Sequence, residues 1–208
     1  MEYEVRFYFP KKELENITNM LSNISDLSSG ARLYEKTMQF DHPNEDMSFY
    51  TKEIDGRFRI RVSKDDDTSK CILSWKRRLQ TTTDTDVNKE EEYELSIDYN
   101  EYDNLMFIVE NVLKMKAVES YERYRTIYSN KEIEISIDEY PFGIALEIES
   151  KTDFNPEENI KKWTKTLNLD IENAYRLSWD DKYQELCNEQ NVEAHKDVLF
   201  DLPMPELF

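Results

Sequence analysis

Apolar and polar positions alternate with period two over most of the chain. In the first run Glu2, Glu4 and Arg6 lie on one face and Tyr3, Val5 and Phe7 on the other, and Pro10 ends it. Residues 11–23 switch to helical spacing, with Leu14, Ile17, Leu21 and Ile24 on one stripe. Ser28 to Gly30 reads as a turn, and alternation resumes over Arg32–Asp41. Residues 42–46 read as a loop and Phe49-Tyr50 as a short extended piece.

The clearest alternation follows. Arg57, Arg59 and Arg61 oppose Phe58, Ile60 and Val62. After a turn at 64–68, Cys71, Leu73 and Trp75 oppose Ile72, Ser74, Lys76 and Arg78. A polar loop is expected over 81–87. Glu90, Glu92 and Glu94 then share a face. A helix is expected over 100–113, burying Leu105, Ile108, Val109 and Val112. Three more extended runs put Arg123 with Arg125, Glu134 with Ser136 and Asp138, and Ala145 with Glu147 and Glu149. The pattern predicts eight strands with two interposed helices, an α+β chain. The last quarter is helical: Ile160, Trp163, Thr164 and Leu167 form one stripe, and Ser178 caps a second helix to about residue 190. The apolar, proline-broken tail beyond is expected to dock on the body or on a partner.

Composition narrows the chemistry. Lys plus Arg number 27 and Asp plus Glu 45, a net charge of −18. That argues against a nucleic-acid binder, which needs a basic face. No apolar run approaches the roughly 18 residues of a membrane span, and the start lacks the pattern of a signal peptide. A cytoplasmic protein acting on a small molecule is expected, with neither nucleic acid nor membrane as partner; a homodimer is compatible with the sequence. Two cysteines and two histidines cannot build a thiolate or imidazole metal site, so any metal must be a hard cation held by carboxylates. His42 and His195 read as loop residues.

The charges are sorted by sign along single strands. Like charges on neighbouring positions of one face repel unless a ligand or an opposite strand neutralises them. Most such faces are simply solvated. Brought together in a barrel, they would pair arginines suited to phosphate with carboxylates suited to Mg2+ or Mn2+.

The residues also resemble a family, the CYTH proteins or triphosphate tunnel metalloenzymes. The family's opening Glu-x-Glu-x-Lys stands here as Glu2-Tyr3-Glu4-Val5-Arg6, its Arg-x-Arg strand as Arg59-Ile60-Arg61, and its Trp-Lys strand as Trp75-Lys76. Its acidic strand resembles Glu92-Tyr93-Glu94 and its basic strand Arg123-Tyr124-Arg125. Its closing pattern is similar to Asp138, Gly143 and Glu147-Ile148-Glu149. Each motif alone is weak; six in order, each in phase on a strand, are specific. The likeness covers residues 1–150 and extends loosely over the helices beyond.

The resemblance implies one domain over 1–208: an eight-stranded antiparallel β tunnel over 1–150 with outer helices, then C-terminal helices and a tail over 151–208. It implies a divalent-metal-dependent triphosphatase acting on inorganic, nucleoside or thiamine triphosphate. Arg6, Arg59, Arg61, Lys76, Arg123 and Arg125 would bind phosphate. Glu2, Glu4, Asp138, Glu147 and Glu149 would hold Mg2+ or Mn2+, with Glu92 and Glu94 in support. Glu4, Lys76 and Arg59 would be the catalytic core. The alternatives are an adenylate cyclase of class IV, making cyclic AMP and pyrophosphate from ATP, and a non-catalytic polyphosphate- or nucleotide-binding module. Arg6 departs from the family lysine. An arginine is effectively never deprotonated, so proton removal would fall to the metal centre, Lys76 or a tyrosine. Arg57 is ambiguous, Glu90 and Arg78 read as outer or rim charges, Tyr34 and Lys36 have the phase of a lumen, and Trp75 reads as outer-face core.

Overall fold

A computed structural model describes residues 1–51, 53–65, 68–79 and 87–208. The loop expected over 81–87 lies, up to residue 86, outside them. The strands are β1 (Glu2–Phe9), β2 (Ser28–Asp41), β3 (Gly56–Lys64), β4 (Ser69–Arg78), β5 (Asn88–Ile97), β6 (Lys116–Ser129), β7 (Ile133–Tyr140), β8 (Gly143–Ser150) and the short β9 (Asp197–Val198). Their order is β2-β3-β4-β5-β1-β8-β7-β6-β9, and β2 pairs with β6 to close the ring. The result is an eight-stranded antiparallel barrel with one added strand. Closure leaves no sheet edge along the β2–β6 seam, which runs from Ser28 opposite Ser129 to Asp41 opposite Lys116. β9 adds to β6 in parallel, Ser120 opposite Asp197; no strand is predicted there from sequence.

Period-two alternation sets what faces in and out. Outside, Val5, Phe7, Ile133, Ile135, Ile137, Ile144, Leu146 and Ile148 pack against α1 (Leu14–Ser22) and α3 (Pro156–Thr166). Ile160, Trp163 and, just past the end of α3, Leu167 are buried against this face, as are Ile17 and Leu21 of α1, and Thr164 is buried too. A second outer core forms over β2–β5, where α2 (Tyr102–Phe107) lays Leu105 beside Ile60, Phe40 and Cys71.

Local details differ from expectation. Ser28–Gly30 belongs to β2 instead of a turn. The helix expected over 100–113 is a 3-10 turn, then α2, then a π turn over Ile108–Val112. Val109 is buried as expected, but the rewound turn leaves Ile108 and Val112 exposed, against the straight-helix phase. In β2 the polar Glu35, Thr37 and Gln39 face inward and are buried, while Tyr34 and Lys36 face out. Burial of Phe40 in the outer core, with Met38 packed against it, fixes this phase.

The C-terminal segment stoppers one end of the barrel. Trp179, at the start of α4 (Trp179–Gln190), lies 4.4 Å from the Tyr121 ring and stacks parallel to Tyr140 at 6.1 Å. Tyr183, Leu186, Cys187 and Val198 complete this core, with Met204 and Leu207 of the tail against it. The Leu207 amide donates to the Phe142 carbonyl, so the tail docks on the body. Ser178 and Asp181 cap α4 reciprocally.

Candidate active site in the barrel lumen

The inward faces enclose a cavity of about 370 Å3. Among the described residues, nine carboxylates line it (Glu2, Glu4, Glu35, Glu90, Glu92, Glu94, Glu134, Glu147 and Glu149) together with eight cations (Arg6, Arg57, Arg59, Arg61, Lys70, Lys76, Arg123 and Arg125). Such a set is tolerable in a partly enclosed space only if the charges interlock.

They do, around Lys76. Its Nζ lies 2.9 Å from Glu2, 3.2 Å from Glu4, 2.8 Å from Glu90 and 3.2 Å from Glu92. Register explains this: Lys76 stands opposite Glu92, and Glu2 opposite Glu90. Glu92 also accepts from Arg59 at 2.7 Å, and Glu94 from Arg61 at 2.7 Å. On the opposite wall Arg123 donates to Glu35 and Asp138, both at 2.8 Å. Arg125 donates to both Asp138 oxygens and, at 2.7 Å, to Glu147. Arg6 joins the two walls, donating to Glu147 at 2.6 Å and Glu4 at 3.2 Å.

All six phosphate-binding candidates therefore line one cavity. The seven metal candidates separate. Glu2, Glu4 and Glu149 bring carboxylate oxygens within 4.8 Å of one another. An all-oxygen set of this kind fits a hard divalent cation such as Mg2+ or Mn2+. Glu92, Glu94 and Glu147 line the cavity but are held by arginines or Lys76. Asp138 does not reach the cavity: it is fully buried, with its oxygens taken by Arg123 and Arg125. Glu90 and Arg57, read from sequence as rim or ambiguous charges, are buried lumen groups. Glu90 shares the phase of Glu92 and Glu94, which was the available signal. Glu35 was legible only once the phase of β2 was known. Trp75 faces outward, edge-on to Phe49 at 5.0 Å.

The electrostatics set Glu2 and Glu149 apart from Glu92, Glu147 and Glu35. Burial lifts Glu2 to about 7, aided by its neighbour Glu92 and opposed by Lys76. Burial lifts Glu149 to about 8, with the Glu2 charge adding to it. Burial also works against ionised Glu92, Glu147 and Glu35, but the adjacent cations outweigh it and hold all three below the usual carboxylate range. Lys76 is held above its ordinary value: burial opposes its charge, and Glu4, Glu92 and Glu2 more than compensate. Glu2 and Glu149 thus sit where a divalent cation can displace protons.

Other solved proteins share this architecture. The PH1012 protein of Pyrococcus horikoshii OT3 superposes with a TM-score of 0.65 at 20% identity, over 87% of this chain and 98% of that one. The fold is the CYTH-like tunnel. An adenylate cyclase candidate of Vibrio parahaemolyticus matches with a TM-score of 0.63 at 14% identity, over 86% and 96% of the two chains. HpAC1 of Hippeastrum, an adenylyl cyclase candidate with a dominant triphosphatase activity, matches with a TM-score of 0.60 at 18% identity, over 89% and 96%. No family model and no curated protein matches the chain. Identities this low carry the CYTH-like fold alone. No helix among the described residues is long and apolar enough to cross a membrane.

Proposed function

We propose that this chain is a divalent-metal-dependent phosphohydrolase acting on triphosphate compounds. The observation that carries the reading is the meeting, in one CYTH-like lumen, of the Glu2–Glu4–Glu149 cluster with a wall of arginines and Lys76. Arg59, Arg61, Arg123 and Arg125 supply forked donors that match phosphoryl oxygens. Lys76, between the carboxylate cluster and Arg59, places a point charge where the transferred group would lie. A Mg2+ or Mn2+ ion at Glu2, Glu4 and Glu149 would neutralise charge on the phosphate chain and help orient the attacking water. Phosphoryl transfer asks chiefly for positioning and charge neutralisation, which these residues supply. Arg6 cannot serve as proton acceptor; its bonds to Glu4 and Glu147 make it a brace between the carboxylate-bearing strands. The likeness to HpAC1 and its dominant triphosphatase activity favours hydrolysis, while the cyclase candidates keep cyclisation of ATP as the second reading. We take the chain as one functional unit, residues 1–150 forming the tunnel and 151–208 its stopper.

The test is product analysis of the purified protein with inorganic triphosphate and with ATP, in Mg2+, in Mn2+ and in chelator. Metal-dependent orthophosphate release is expected. Cyclic AMP with pyrophosphate would establish the cyclase instead, and tight binding without products would make the tunnel a receptor. Arg59→Ala should weaken triphosphate binding, whereas Glu4→Ala should abolish metal-dependent turnover; full activity in Glu4→Ala would refute the assignment of β1.

A further inference from the structure

The main-clamp arginines each hold a carboxylate, whereas Arg78, beside the lumen residues Arg57 and Glu90, is held only at longer range. Among the described residues, the buried guanidinium nitrogens without a hydrogen-bond partner are Nε and Nη2 of Arg78 and Nε of Arg61. Nε and Nη2 form the side-on fork of the guanidinium, the edge that takes two oxygens of one oxyanion. Arg78 reaches Asp55 only at 3.4 Å and Glu90 only at 3.6 Å. Arg57 leans on the same two carboxylates, at 2.9 Å and 4.0 Å. Glu90 is already engaged by Lys76 at 2.8 Å, so three cations share it. Burial, and next the Arg57 charge, hold the Arg78 guanidinium below its ordinary value.

Their position is as informative as their deficit. Arg57 continues the inward row of Arg61 and Arg59 on β3, a row about 13 Å long at the strand repeat. Arg57 stands opposite Lys76, and Arg78 opposite Glu90. Ser178 and Trp179 line the same cavity as Arg57. Buried donors left unpaired cost free energy that a fitting acceptor recovers.

We propose that Arg57 and Arg78 form a second oxyanion subsite, for a phosphate group beyond those on the main clamp. Its occupant is the additional phosphoryl group of a chain longer than a triphosphate, or orthophosphate by itself. The inference rests on the phosphate reading of the lumen and adds a chain-length preference to it. One charge-assisted fork predicts about tenfold tighter binding of a chain that reaches Arg78.

Calorimetry would test this with inorganic triphosphate, inorganic tetraphosphate and orthophosphate, in Ca2+ and in chelator. The proteins are the native chain, Arg78→Gln, Arg78→Lys and Arg61→Gln, each checked for a cooperative melt. Tetraphosphate should bind the native chain about tenfold tighter than triphosphate. Arg78→Gln should erase that advantage and leave triphosphate affinity intact, Arg78→Lys should restore part of it, and Arg61→Gln should weaken both chains alike. Orthophosphate binding lost in Arg78→Gln, with no tetraphosphate advantage in the native chain, would assign the subsite to free phosphate. An equal effect of Arg78→Gln on both chains, or none on any probe, would overturn the subsite while leaving the main clamp standing. Failure of triphosphate and tetraphosphate to bind the native chain would overturn the phosphate reading itself, and the subsite with it.

Discussion

Replacing Lys76 with glutamine removes the charge that four carboxylates share. Breaking a buried ion pair from one side costs about 3–5 kcal/mol. Three of the four carboxylates keep another cation: Glu92 keeps Arg59, Glu4 keeps Arg6, and Glu90 keeps Arg57 and Arg78 at longer range. Glu2 has no second cation among the ion pairs of the described residues, but it already titrates near 7 and can take up a proton. The cost should therefore sit at the lower end, about 3 kcal/mol. For a chain of 208 residues that lowers the melting temperature by roughly 6–12 °C. The assay is thermal unfolding of Lys76→Gln and the native chain near neutral pH, in chelator and then with Mg2+ or Mn2+ titrated in. A divalent cation replaces the lost charge at Glu2 and Glu4, so it should raise the variant's melting temperature more than that of the native chain. The loss should also shrink as pH falls below about 7, because protonation of Glu2 relieves the repulsion. A variant that melts within about 2 °C of the native chain, or gains no more from the ions, would refute Lys76 as the electrostatic keystone of the lumen.

Three further outcomes follow from other contacts. Glu119 of β6 accepts from Tyr50 at 2.8 Å and from Gln39, while the same Tyr50 hydroxyl lies 3.0 Å from Asp180 of α4; burial, and then Asp180, lift Glu119 to about 8. The native state therefore holds the Glu119 proton that the unfolded chain has released, and stability should fall as pH rises from about 4.5 to about 8. Glu2 and Glu149 carry the same sign, so Glu119→Gln should reduce this slope in thermal melts without abolishing it; an unchanged slope would show that the carboxyl pair does not strain the α4 docking. Trp179→Ala should cost about 3–5 kcal/mol in denaturant unfolding, because its ring packs on Tyr121 and Tyr140; a change under 1 kcal/mol would mean that α4 is not the stopper described above. Gly56→Ala would bring a methyl group 2.3 Å from the Trp75 ring and 3.0 Å from the Phe49 carbonyl, and should destabilise by about 1–3 kcal/mol, measured by the shift of the unfolding midpoint.

Much of this molecule was legible in one dimension. Alternation is a local property, because successive side chains on a strand must point to opposite faces. The rows Arg57-Arg59-Arg61, Glu90-Glu92-Glu94 and Glu147-Glu149 could therefore be read as shared faces, and the resemblance carried by six such motifs implied the tunnel that the structure has. The helical stripe Ile160–Trp163–Thr164–Leu167 was legible for the same reason, and all four residues are buried.

Register, burial and partner choice were not legible, since they depend on strands far apart in the chain. The phase of β2 turned on whether Met38 and Phe40 or Thr37 and Gln39 entered an apolar layer, and that layer exists only once α2 has packed. Asp138 and Glu149 look alike as acids on neighbouring strands. The pairing of β6 with β7 places Asp138 opposite Arg125, where it is locked, whereas the pairing of β1 with β8 sets Glu149 opposite Glu4, where it completes the carboxylate cluster. The sequence by itself determined which residue types share a strand face, because that follows from the backbone repeat. Only the tertiary structure decided which charges meet, how deeply each is buried, and hence which carboxylates are locked by arginine pairs and which gather into one cluster.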